Sequence, residues 1–195
     1  MDKLKIKIIL GSTRQGRFSE KPGNWILGEA QKKDTVDAEL LDLRDYPMPF
    51  YNEPISPAMI EDGAYSNEIV RKWAEKIKEA DAFIMVTPEY NHGTSAVLKN
   101  ALDSVYAEWN NKPVGFVSYG GVGGTRAVEQ LRTVVVELQM APIRSAVHIQ
   151  GGPWNLLDEK GNLKDGVLDS YEKSASDTVD QLIWWGQALS AARNK

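Results

Sequence analysis

Ile6-Lys7-Ile8-Ile9-Leu10 runs directly into Gly11-Ser12-Thr13-Arg14-Gln15-Gly16-Arg17-Phe18-Ser19, and the abrupt change after Leu10 decides how the chain reads. A short β-branched run is what a parallel strand buried on both faces requires. Two glycines then let the backbone turn sharply, so that successive N–H groups point toward an anion. Ser19-Glu20-Lys21-Pro22 opens a helix, with Ser19 as its expected N-cap and Pro22 in the first turn, where a missing N–H costs nothing. The positive end of that helix faces the same loop. The expectation is strand, phosphate loop, helix. The plainer alternative is an ordinary strand-to-helix turn with exposed polar side chains.

Gly11 and Gly16 keep the glycine spacing of the triphosphate-binding P-loop, but Arg17-Phe18 stands where that motif needs Lys and then Ser/Thr. Phosphoryl transfer is set aside for want of these groups. The dinucleotide fingerprint fails too, because its middle glycine is missing. Three hydroxyls and two arginines remain, a donor set suited to a terminal monophosphate dianion.

Composition narrows the field. At 195 residues, 42% of them hydrophobic and 26% charged, the chain reads as one domain, 1–195, with a full core. A net charge of −4 without any Lys/Arg run argues against nucleic acid as a partner. With no cysteine, disulfides, thiolate catalysis and Cys-ligated metals drop out, and His92 and His148 are too few for a zinc site. No metal is expected. Met1-Asp2-Lys3-Leu4-Lys5 runs into the first strand without the pattern of a leader, and no apolar run approaches the ~18 residues of a membrane span. The expected protein is soluble and cytoplasmic. Six tryptophans and seven tyrosines are generous for this length, so some should lie at a cofactor face or a subunit contact.

Outward from the first loop, apolar periodicity repeats the same pattern. Trp25, Ile26, Leu27 and Ala30 mark the first helix, and Val36–Leu43 alternates as a second strand. Pro47, Pro49, Pro54 and Pro57 exclude a long helix or a central strand from residues 44–62. With Phe50 and Tyr51 aboard, that segment reads as a pocket wall or a subunit contact. Ile69, Val70, Trp73 and Ile77 recur at helical spacing, and Ala82–Val86 is a buried strand ending in Thr87-Pro88-Glu89-Tyr90-Asn91-His92-Gly93. Leu98, Ala101, Leu102 and Val105 line the next helix. Pro113–Val117 is a fourth strand, followed by Ser118-Tyr119-Gly120-Gly121-Val122-Gly123-Gly124. A helix carrying Ala127, Val128, Leu131, Val134 and Val135, a strand over Ile143–Ile149 and a long helix marked by Leu168 to Leu189 complete the chain. Asp158–Asn162 reads as a surface turn.

Five strands alternating with helices predict a doubly wound α/β fold, a parallel sheet covered on both faces. In such sheets ligands bind beyond the carboxyl ends of the strands. The three special loops follow strands one, three and four, which are neighbours in the flavodoxin-like order 2-1-3-4-5, with FMN at the switch point between strands one and three.

Gly11-Ser12-Thr13-Arg14-x-Gly16-Arg17, Pro88-Glu89-Tyr90-Asn91 with Leu98-Lys99-Asn100-Ala101-Leu102-Asp103, and Ser118-Tyr119-Gly120-Gly121 together resemble the NAD(P)H-dependent FMN reductase family over about residues 4–150. The resemblance implies a flavodoxin-like homo-oligomer, a homodimer or homotetramer, that binds FMN. It implies hydride transfer from NADPH or NADH through FMN to a small acceptor: a flavin, quinone, azo compound or metal oxyanion. It assigns Ser12, Arg14, Arg17 and Ser19, with the Phe18 backbone, to the FMN phosphate. Pro88, Glu89, Tyr90 and Asn91 would line the isoalloxazine ring, and Ser118, Tyr119, Gly120 and Gly121 would hold its pyrimidine side. Ser95 departs from the family pattern, where many relatives have proline, and can instead cap the following helix. No catalytic side chain is assigned, because the cofactor carries the hydride chemistry.

Other readings stand beside these. Glu89 lacks a nearby partner carboxylate and is expected only to accept hydrogen bonds. His148, in an apolar strand, reads as a packing histidine. Trp184 and Trp185 are about 100° apart on a helix, so one is expected in the core and the other against another subunit. A flavodoxin-like electron carrier or flavin-dependent sensor is the alternative function. Carriers of that kind tend to be strongly acidic, and this chain is not.

Overall fold

The structure, a computed structural model, describes residues 3–193, so the reading of Met1-Asp2 lies outside the described residues. Five strands, β1 (Leu4–Leu10), β2 (Val36–Asp42), β3 (Ala82–Pro88), β4 (Pro113–Tyr119) and β5 (Ala141–Ile149), form one sheet in the order β2-β1-β3-β4-β5 with all neighbours parallel. The helices are α1 (Glu20–Gln31), α2 (Glu68–Glu79), α3 (Ala96–Asp103), α4 (Thr125–Glu137), the single turn α5 (Pro153–Leu156) and α6 (Glu172–Arg193). The flavodoxin-like order is the expected one.

The two faces of the sheet explain the sequence of β1. Successive side chains alternate across a strand, so Ile6, Ile8 and Leu10 join a core with Ile26, Val179 and Leu182 from α1 and α6. Ile9 joins the opposite core with Trp73, Leu98 and Leu131 from α2, α3 and α4. Covered on both sides, the strand has no solvent face on which to alternate. Lys5 near the start of the strand is exposed, and Lys7 is a buried charge. Its buried ammonium lies on the Ile9 face and is held by Glu39 and Glu79.

Several expectations are corrected. The sequence places Thr87 and Pro88, and Ser118 and Tyr119, in loops, but the β3–β4 ladder runs on through Thr87 opposite Ser118 and Pro88 opposite Tyr119. These residues are strand ends, which fixes them more rigidly than a loop would. Leu168 and Tyr171 precede α6, Leu168 just before and Tyr171 at the end of a short 3₁₀ turn, Asp169–Tyr171. Neither Trp184 nor Trp185 is in the core: they are 64% and 37% exposed and meet edge to face on the outer side of α6. The core stripe of that helix is already filled by Ala175, Val179 and Leu182.

The region 44–62 holds no helix longer than the 3₁₀ turn Pro57–Met59. Its Tyr46, Pro47, Met48 and Phe50 face Val97 and Asn100 of α3 across a cleft of about 440 Å³. The pocket-wall reading of this segment is thereby met.

Candidate functional site

Because every strand is parallel, the loops leaving β1, β3, β4 and β5 emerge at one edge of the sheet. They enclose a cleft of about 240 Å³. The first loop contributes Ser12, Arg14 and Arg17; the end of β3 contributes Pro88, Glu89 and Tyr90; the end of β4 contributes Tyr119, Gly120 and Gly121. Of the remaining expected residues, Phe18 and Ser19 are buried beneath the first loop, Ser118 points its hydroxyl away to Gly123 O and His148 Nδ1, and Asn91 is exposed in a turn.

The first loop is built around Arg17. Its guanidinium, buried with the loop, donates to Ser12 O at 2.6 Å, to both carboxylate oxygens of Asp42, and through Nε to Glu20 at 2.9 Å. Sequence reasoning aimed this arginine at a ligand; in the fold its donors are committed to the loop and to the last residue of β2. Asp42 is held below its ordinary carboxylate range, since the Arg17 bonds outweigh the opposing effect of burial. Arg44 adds a second clamp, donating to Arg14 O at 2.8 Å and to Glu20 at 3.1 Å. Arg14 differs. It is exposed at the cleft, and its side chain makes no hydrogen bond or ion pair among the described residues.

Ser19 also departs from expectation. It occupies the N-cap position of α1 in helical backbone (φ −53°, ψ −26°), and its side chain does not cap. A capping residue needs extended dihedrals to swing its oxygen back onto the first N–H groups. Its Oγ is instead buried against the Tyr119 phenol, without a hydrogen bond of good geometry. Ser95 does cap α3, accepting from Leu98 N at 3.2 Å, and donates to Gly11 O, tying the first loop to the helix after β3.

At the other end of the cleft, Tyr90-Asn91-His92-Gly93 forms a tight two-residue turn, closed by reciprocal Tyr90–Gly93 backbone bonds of 2.9 and 3.0 Å. Asn91 and His92 both have positive φ, 50° and 69°, as a type I′ turn demands. The Tyr90 hydroxyl reaches Ser12 Oγ at 3.2 Å. Glu89, as expected, accepts hydrogen bonds: from Arg126 Nε at 2.7 Å, Arg126 Nη2 and the Arg126 backbone N–H at 3.1 Å. Burial raises the Glu89 carboxyl, but these bonds outweigh it and leave the group below its usual range. Arg126 Nη1 meets His92 Nε2 at 2.7 Å. The β3 loop is thus fastened to the start of α4. Gly124, at φ 71°, precedes that helix, and a Cβ there would fall 2.8 Å from Ser118 Cβ, so the β4 loop can close only on glycine.

Sequence reasoning missed four contributors. Asp42 and Arg126 are charges on a strand end and a helix start, and only the fold brings them to Arg17 and Glu89. Pro153 and Trp154 line the cleft from beyond β5. Their available signal was Gly151-Gly152-Pro153, directly after a strand at the ligand edge. Packing behaviour agrees for His148, half-buried, bonded to Ser118 Oγ at 2.7 Å and pushed down chiefly by burial.

The residues present suit a flavin monophosphate. The Ser12 hydroxyl and an arginine free of protein partners line the cleft in the loop that leads into α1, whose N-terminal end favours an anion. At the other end Gly121 leaves open space where a side chain would stand, which admits a flat ring close to the backbone.

Fold and cleft together define a flavodoxin-like protein with a nucleotide-sized site at the switch point of its sheet. Within that class the chain belongs to the NADPH-dependent FMN reductase family, whose model matches residues 4–153. It is 43% identical over 146 residues to an NAD(P)H-dependent FMN reductase of Schizosaccharomyces pombe, covering 73% of this chain and 72% of the relative. It is 28% identical to a quinone reductase of Pseudomonas putida, over 82% of this chain and 84% of that protein. Among solved structures it is similar to the flavoenzyme NAD(P)H:acceptor oxidoreductase FerB from Paracoccus denitrificans, with a TM-score of 0.72, 21% identity and coverage of 95% of this chain and 98% of that one.

Proposed function

We propose that the chain acts as one FMN-binding domain that oxidises NADPH or NADH and reduces a small acceptor. When bound, FMN supplies the chemistry, accepting a hydride from the nicotinamide and passing two electrons to the acceptor. The protein's part is binding and orientation. The Ser12 hydroxyl, Arg14, Ser19 Oγ and the Phe18 backbone hold the phosphate, while Arg17 keeps the loop in shape. Pro88, Glu89, Tyr90 and Asn91 support the ring on one side. Ser118, Tyr119, Gly120 and Gly121 support the other, with Ser118 acting from behind the strand end.

The observation that carries this reading is the exposed Arg14 guanidinium, which makes no hydrogen bond or ion pair among the described residues and lines the same cleft as the Ser12 hydroxyl, a donor pair that an anionic group would engage. Assembly as a homodimer or homotetramer in the cytoplasm belongs to the same reading. Among the described residues no helix is long and apolar enough to cross a membrane.

The test is a visible spectrum of purified protein given excess FMN and freed of what does not bind, followed by anaerobic NADPH and then NADH. Retained flavin that bleaches at once is the expected result. Retained flavin that neither nucleotide bleaches would indicate a carrier or sensor, and no retained flavin would remove FMN from the cleft.

A further inference from the structure

The wall of the cleft beyond β5 has a construction that flavin binding does not by itself require. Trp154 lines the cleft yet is 74% exposed. Its position is built. Gly152 has φ 73°, and a Cβ on it would lie 2.5 to 2.8 Å from three atoms of the Trp154 ring, so the indole can lie across this backbone only because residue 152 is glycine. The turn beneath is anchored by buried Leu156, by Asn155 Nδ2 donating to Gly151 O at 2.5 Å, and by Lys164 N donating to Leu156 O at 3.0 Å. An exposed aromatic ring on an anchored turn carries little conformational entropy to lose when something stacks on it.

The partner across the cleft is Tyr90, 41% exposed, with its hydroxyl held by Ser12 Oγ. Of the expected phosphate donors Ser12 is buried and Arg14 exposed, while the indole on the same cleft is largely exposed. A largely exposed ring on a cleft wall can be reached by a molecule arriving from solvent.

Resting on the flavin reading above, we infer that Trp154 is a specificity-determining residue that stacks on planar aromatic acceptors, quinones above all, as they approach the flavin. Offset or edge-to-face aromatic contact of this kind is worth about a tenfold change in affinity. A compact inorganic oxidant has no π-face and gains nothing from the indole.

The experiment uses FMN-loaded wild type, Trp154→Ala and Trp154→Phe, with menadione and ferricyanide as acceptors. In Trp154→Ala with FMN still bound, KM for menadione should rise about tenfold, and the ratio of menadione to ferricyanide kcat/KM should fall by a similar factor. Trp154→Phe should recover most of the menadione KM. An unchanged menadione KM, or equal losses with both acceptors, would overturn the inference. Loss of FMN in Trp154→Ala would also overturn it, by making the indole part of the flavin's own pocket. Failure of the underlying reading looks different, because wild type itself would then retain no flavin or leave it unbleached.

Discussion

Each end of the sheet buries a cation, and the two are treated differently. At the ligand edge Arg17 is matched by two carboxylates, Asp42 and Glu20, and its side chain is 2% exposed. At the opposite edge Lys112, just before β4, is equally buried but faces no carboxylate at ion-pair distance among the described residues. Its Nζ donates to Ile77 O at 2.7 Å and Lys78 O at 3.0 Å, carbonyls at the end of α2, and stands 5.8 Å from the Phe83 ring centroid. Burial lowers the Lys112 ammonium to about 8, whereas the Asp42 bond chiefly, against burial, raises the Arg17 guanidinium. The lesson concerns what each end must do. The long first loop has to keep its shape at the cleft, so its central cation is matched by the protein's own carboxylates. A cation that only closes a helix end can use carbonyl dipoles and tolerate losing its proton.

Breaking the stronger of the two clamps should give the largest effect. Arg17→Met leaves Asp42 without its charged partner and the Ser12 carbonyl without its donor, and should cost about 3–4 kcal/mol of stability, measured by urea unfolding without FMN. Unchanged stability would show that the loop is held from elsewhere.

The Lys112 end sharpens the contrast through pH. Its folded value near 8 lies below the ordinary 10.5, so between these values the unfolded chain binds the extra proton and stability rises with pH. Relative to Lys112→Met, wild type should gain about 2–3 kcal/mol as the pH is raised across that window, because holding one fewer proton when folded is worth about 1.36 kcal/mol for every tenfold fall in proton concentration. A difference that stays flat with pH would mean that the buried lysine titrates as it does in the unfolded chain.

The smallest effect is the most specific to the ligand edge. Ser19→Ala removes a buried hydroxyl that lies against the Tyr119 phenol without a hydrogen bond of good geometry, and should stabilise the FMN-free protein by about 1 kcal/mol. The same variant should bind FMN roughly fivefold more weakly, because the hydroxyl is then missed. Effects of one sign in both experiments would make Ser19 a packing residue and nothing more.

What was legible in the sequence was whatever a single segment encodes. Two-face burial makes β1, β3 and β4 continuous apolar runs, and glycines mark where the chain must turn at the ligand edge. The motifs Gly11–Arg17, Pro88–Asn91 and Ser118–Gly121 therefore located three loops of the cleft without any coordinates. Legibility stopped at pairings. Arg17 and Asp42 are separated by a whole helix and strand, and a single sequence offers no reason why one should answer the other. The misplaced expectations have the same root. Ser19 has the right residue type for a cap but the wrong dihedrals, and Trp184-Trp185 obeys helical geometry on a helix whose inner stripe smaller residues already fill.

Residue type and periodicity alone thus determined the alternation of strands and helices and the three turns that gather at one edge of the sheet, since these depend on local backbone preference and on alternation. Only the tertiary structure decided which arginine is free and which is bound, that Glu89 fastens two loops through Arg126, and that an indole from beyond β5 lines the cleft. Those outcomes depend on distances between segments far apart in the chain, where a buried charge must be met by a counterion, as at Arg17, or by backbone carbonyls, as at Lys112.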